Sequence, residues 1–126
     1  MLDLIGRPYR LGADGTDPDK ALDCIHLVYT VLDRLDICYP TFDSNWYGAP
    51  KRDVLRAIHN WGFRIPRPQY DGDVVLLPHI NHAFGVAWQD GILYTAAMVN
   101  RVNWCPFQAL PPCRCYRSAS FRTSAS

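Results

Sequence analysis

The chain has 126 residues, 48% of them hydrophobic and 20% charged, with a formal net charge of +1. That length fits one domain with a single small core, and the near-neutral balance offers no basic footprint for nucleic acid. No apolar run is long enough to span a bilayer, and the opening Met1-Leu2-Asp3-Leu4 lacks the basic-then-apolar layout of a secretory signal, so the expectation is synthesis in the cytosol.

Residues 2–12 form a short first segment ending in Pro8-Tyr9-Arg10-Leu11-Gly12, and the Gly/Asp/Pro-rich stretch 13–19 reads as a surface loop. The clearest helix covers about 22–35, where Ile25, Val28, Leu32 and Leu35 recur at three and four residues, the spacing of one buried face. Asp23 suits its N-cap, because a carboxylate accepts from the first unpaired N–H groups and complements the positive end of the helix dipole. Pro40 closes that region, and 41–50 is a loop carrying Trp46 and Tyr47. A second helix is predicted over 51–61, with Val54, Leu55, Ile58 and Trp61 on one side, before Pro66 and Pro68 stop regular structure.

From Asp73 the pattern turns to strands. Val74-Val75-Leu76-Leu77 is a short apolar run, and 82–88 and 91–99 flank a hairpin turn at Gln89-Asp90-Gly91. Residues 106–112 read as a loop, 113–116 as a last strand, and the Ser/Thr/Ala-rich stretch 118–126 as a frayed tail. The expected fold class is α+β, with N-terminal helices packed on a small antiparallel sheet, in one domain over 1–117.

Cys24, Cys38, Cys105, Cys113 and Cys115 make an odd count, and without a secretory signal reduced thiols are expected. Thiol catalysis needs a thiolate, a histidine and a group that orients the histidine. Cys24 stands in the first turn after Asp23, where unpaired N–H groups and a protonated histidine would lower its pKa and make it reactive. The plainer alternative is a small buried side chain, as free cysteines commonly are. His82, at the start of the hairpin, is the candidate base. Strand alternation places His82, Phe84 and Val86 on one face with Leu93, Thr95 and Ala97, which makes Thr95 the available third group and Asn100 a less regular option. His79-x-x-His82 with Cys113-x-Cys115 has zinc-ligand residue types but no standard spacing. Cys38 and Cys105 read as packing residues and His59 as a surface or interface residue, and no cofactor or metal is expected.

Gly6-Arg7-Pro8-Tyr9-Arg10-Leu11-Gly12 resembles the opening motif of the NlpC/P60 cell-wall peptidases, and Leu22-Asp23-Cys24-Ile25-His26-Leu27-Val28 resembles their nucleophile segment. Gly72-Asp73-Val74-Val75 is similar to the strand before their catalytic histidine, and 82–91 to the histidine strand and its Asp-Gly turn. The wording around Cys24 and 35–40 is closest to the phage-tail-associated branch. The resemblance implies a papain-like fold, with Cys24 as nucleophile, His82 as general base and acid, and Thr95 where the family commonly has a third histidine. Tyr9 and Asp23 would serve the substrate or oxyanion side. The implied activity is a cysteine endopeptidase that hydrolyses γ-D-glutamyl-diamino acid bonds of peptidoglycan stem peptides through a thioester on Cys24. Implied partners are the stem peptide and phage-tail or other secretion and assembly proteins. The implied destinations are a virion tail or the periplasm and cell wall. His26 replaces the family's small glycine, Thr95 its histidine, and Ala13 its second glycine after the tyrosine motif. Those departures suit the alternative, a catalytically weak or inactive papain-like module with a structural role, for instance in a phage tail.

Overall fold

A computed structural model of the chain describes residues 1–38, 51–80 and 83–119. The aliphatic periodicity after Asp23 winds into α1 (Cys24–Arg34), which buries Ile25, Leu27, Val28, Val31 and Leu32. Each such side chain contributes about 1.5–3 kcal/mol when removed from water, so this one stripe fixes how the helix sits. Asp23 caps α1 as expected, its carboxylate accepting from the His26 N–H, and Arg34 stands in the last turn where the dipole favours a cation. The helix begins at Cys24, two residues later than predicted, because Leu22 is committed to bridges with Tyr9 and Asp14. A second helix, α2 (Lys51–Trp61), occupies the expected segment. Its Ile58 is fully buried, while Val54, Leu55 and Trp61 pack at the margin of the core.

Six strands follow: β1 (Gly62–Ile65), β2 (Val74–Leu77), β3 (Ala83–Trp88), β4 (Gly91–Tyr94), β5 (Asn103–Pro106) and β6 (Arg114–Ser118). They form one antiparallel sheet in the order β1-β6-β2-β3-β4-β5. Among the described residues the fold is α+β, with two α-helices and this sheet. α1 lies against β3 and β4, and α2 against β1. From α2, His59 also meets Tyr116 of β6 edge-on, with ring centroids 5.3 Å apart.

The structure departs from the sequence expectations at the sheet margins. Residues 62–65 and 103–105 carry no element in the sequence reading, yet β1 pairs with β6 and β5 with β4. Gly62 permits the first pairing, because a Cβ there would lie 2.0 Å from the Arg117 carbonyl oxygen. β4 ends at Tyr94, so Thr95 falls past the strand, and 97–99 is a turn that closes when the Asn100 N–H donates to the Ala96 carbonyl. Ser118, expected in the tail, is buried and pairs with Gly62 as the last residue of β6. The β3–β4 turn is Gln89-Asp90, and both residues have positive φ (53° and 60°), the backbone of a type I′ hairpin.

The Gly72-Asp73 pair has a structural explanation. Gly72 takes φ +95°, with Ile37 Cδ1 2.5 Å from where a Cβ would stand. Asp73 is fully buried and accepts from the Gln69 and Tyr70 N–H groups. It also receives two bonds from the Arg117 guanidinium, at 2.8 and 2.9 Å, so that β6 is tied by charge to the entrance of β2. Arg117 in turn lies over the Tyr70 ring, 4.6 Å from its centroid.

Candidate functional site

Cys24 opens α1 because the chain before it is clamped on both sides. The Leu22 N–H donates to Pro8 O, the Arg10 N–H to Leu22 O, and the Asp23 N–H to Ala13 O. On its other side the same N-terminal strap joins the segment after β4, through Tyr9 N–H to Asn100 O and Val102 N–H to Arg7 O. Tyr9 is thereby brought beside Cys24. Burial first, and then the charges of Cys24 and Asp23, push its phenol pKa up.

Asp23 is fully buried and shares its two oxygens between two jobs. Oδ1 takes the His26 N–H at 2.7 Å and the His26 ring Nδ1 at 2.8 Å, while Oδ2 takes the Gly12 N–H at 3.1 Å. The carboxylate is an acceptor bound to the helix start and the preceding loop, so its place is to hold the site together. An oxyanion needs donors, which a carboxylate does not supply. His26, a third exposed, packs edge-on against Tyr29, with ring centroids 5.7 Å apart. The Asp23–His26 pair was missed in the sequence, although the i, i+3 spacing across a helix start is a readable signal.

Cys24 itself is only 6% exposed. The expectation of a lowered thiol pKa is corrected here: burial pushes it up to about 12, and the neighbouring Asp23 charge acts in the same direction. The backbone N–H groups of Phe84, Cys24 and Ile25 oppose that rise by stabilising the thiolate, but burial prevails. Phe84, in β3, is the link that sequence reasoning overlooked. Its amide joins the helix start to the strand that follows His82.

His82 lies outside the described residues, as do Trp46 and Tyr47. Thr95 is fully buried, and among the described residues its hydroxyl has no hydrogen-bond partner. The β3–β4 pairing ends at Gly85 with Tyr94, so Thr95 follows the last paired residue and the strand alternation that put it on the face of His82 does not extend to it. Asn100, with φ 62°, is occupied in the turn that holds Tyr9. Trp104 covers the β3–β4 hairpin, its indole N–H donating to the Trp88 carbonyl at 2.9 Å.

Among the described residues, no three His, Cys, Asp or Glu side chains converge as a metal site, and no helix is long and apolar enough to cross a membrane. The fold and site thus define a small α+β domain with a buried thiol at a helix N-terminus, flanked by a tyrosine and by the entrance of a hairpin. No family model, curated protein or solved structure matches the chain.

Proposed function

We propose that the protein is a papain-like cysteine peptidase that cleaves peptidoglycan stem peptides by acyl transfer to Cys24. The observation that carries this reading is the packing of the α1 N-terminus on the start of β3, where the Phe84 amide meets the Cys24 sulfur and Tyr9 stands alongside. Two elements distant in sequence, α1 and β3, meet at that point. The order of the motifs along the chain, from Tyr9 through Cys24 and Asp73 to His82, adds the resemblance to NlpC/P60 peptidases.

In this mechanism the thiol is protonated at rest, as its raised pKa requires. His82 takes the proton as sulfur attacks the substrate carbonyl, and the N–H groups at the start of α1, with the Tyr9 hydroxyl, hold the developing oxyanion. The tetrahedral intermediate expels the amine, protonated by His82, and leaves a thioester on Cys24. Water activated by His82 then releases the acid. Asp23 positions the helix start, and Thr95 offers to the imidazole a hydroxyl that has no partner among the described residues. The γ-D-glutamyl-diamino acid bond is the target implied by the resemblance, and a virion tail, periplasm or cell wall is the implied place of action.

One observation favours a second reading. A thiol this buried, beside a carboxylate, suits a papain-like module kept for assembly, with little or no turnover. The test is incubation with purified muropeptides, comparing wild type, Cys24→Ala and His82→Ala. Cleavage abolished by either substitution supports the peptidase. Product that survives Cys24→Ala overturns the mechanism, and absence of turnover on every muropeptide favours the structural reading.

A further inference from the structure

A second thiol pair lies away from Cys24. Cys115 of β6 alternates with Tyr116, so its side chain leaves the sheet on the face opposite the one that meets His59 of α2. Cys113 precedes Arg114, the first residue of β6, and two-residue spacing in extended chain returns it to the same face as Cys115. The two Sγ atoms are 3.8 Å apart. The Cys115 thiol also reaches the Cys113 carbonyl at 3.7 Å. A disulfide needs about 2.05 Å between sulfurs, so closure requires a shift of under about 2 Å. Cys113 is the residue able to move, because the sheet register includes Cys115, opposite both Ile65 and Val75, and begins only after Cys113.

The pair is asymmetric. Cys115 is 1% exposed, whereas Cys113 is half-buried and accessible. The hydrogen bond from Cys115 holds the Cys113 thiol below the usual range, and the same bond, with burial, pushes Cys115 up. Both line a cavity of about 600 Å³ walled by Pro66, Pro68, Phe107, Gln108 and Leu110, and among the described residues Arg67 is the one cation in its lining. A wall of mixed polarity that includes a guanidinium suits a small acidic molecule. Cys105 lies near enough for its charge to interact with Cys113, but burial pushes its thiol up.

We propose that Cys113 and Cys115 form a thiol–disulfide exchange site for a low-molecular-weight acidic disulfide held in this cavity, with Cys113 attacking and Cys115 resolving. The Cys113 thiolate attacks one sulfur of the disulfide, which cleaves its S–S bond, forms a mixed disulfide and releases one thiolate that is protonated by solvent. Cys115 then gives its proton to solvent and attacks the Cys113 sulfur, forming the Cys113–Cys115 bond and expelling the second thiolate. The protein loses two electrons and two protons, and the small disulfide gains them as two thiols.

The test treats the reduced full-length chain with glutathione disulfide and follows intact mass and tryptic peptides. Trypsin cuts after Arg101 and Arg114, so Cys105 and Cys113 share one peptide and Cys115 lies on the next; fragment-ion spectra of the joined pair, and the Cys105→Ser variant, assign the bond to Cys113. Wild type and Cys105→Ser are expected to become lighter by two hydrogens and to yield that joined pair. Cys115→Ser is expected to stop at one glutathionyl group on Cys113. Should Cys115→Ser fail to fold by circular dichroism, the wild-type time course decides: a transient Cys113 adduct must precede the joined peptides. A persistent adduct in wild type, a bond to Cys105 instead, or modification confined to exposed Cys38 overturns the proposal.

Discussion

Alkylation of Cys24 across pH puts the resting state of the candidate nucleophile to a direct measurement. With its pKa pushed up to about 12, Cys24 carries a thiolate fraction of roughly 10⁻⁵ at about pH 7. A free thiol with a pKa near 8.5 carries roughly 3% thiolate there, about three-thousand-fold more. Since the thiolate is the reacting species, iodoacetamide should modify Cys24 at least about a thousand-fold more slowly than a model peptide cysteine at neutral pH. The shape of the profile is equally diagnostic. The free thiol should plateau above about pH 9, while Cys24 should gain about tenfold per pH unit until the fold itself gives way. Peptide-resolved mass spectrometry after timed quenching separates Cys24 from the other four cysteines. A Cys24 rate that is already flat below about pH 8 would mean a resting thiolate, and the dominance of burial over the helix N–H groups would be refuted.

Three further outcomes follow from the same structure. Thr95→Val should raise stability by about 1–2 kcal/mol in urea unfolding, because it removes a buried hydroxyl without a described partner, while lowering muropeptide turnover where the hydroxyl orients His82. Asp73→Ala should cost about 3–5 kcal/mol in the same assay, since it removes the buried carboxylate that the Arg117 guanidinium and two backbone N–H groups bond; Arg117→Ala in that background should add little further loss. A raised folded-state pKa at Cys24 contributes stability that is complete below the unfolded thiol pKa and disappears as pH rises toward about 12. Wild type should therefore lose stability between about pH 9 and pH 11 faster than Cys24→Ala, by up to about 1.4 kcal/mol per pH unit in the urea midpoint comparison, and equal slopes would count against the burial.

Local patterns in the sequence were good guides where one face of an element decides its structure. The α1 stripe and its Asp23 cap follow from spacing alone, as does the Gln89-Asp90 turn between the β3 and β4 runs. β1 and β5 were not readable because they are edge strands of four residues, Gly-Phe-Arg-Ile and Asn-Trp-Cys-Pro, neither carrying a clear apolar run. Cys24 at a helix start and Tyr9 near it were visible as motifs. The thiol's raised pKa was not, since it depends on how completely β3 and the strap at Tyr9 exclude water from the sulfur. Asp23 was read as part of the substrate side; its bonds to Gly12 and His26 involve a loop whose path only tertiary structure fixes.

The strand order has a consequence for how the molecule is made. β6 sits between β1 and β2, so the first strand synthesised has no neighbour until the last has emerged. A ribosome that has delivered α1, α2 and β1 through β5 holds a four-strand sheet with an open edge at β2 and an unattached Gly62–Ile65 segment. That edge displays Val74-Val75-Leu76-Leu77, an apolar template for pairing with another nascent chain. Arrival of Arg117 at Asp73 closes it, so a chain that stops before residue 114 keeps the β2 edge open as an adhesive intermediate.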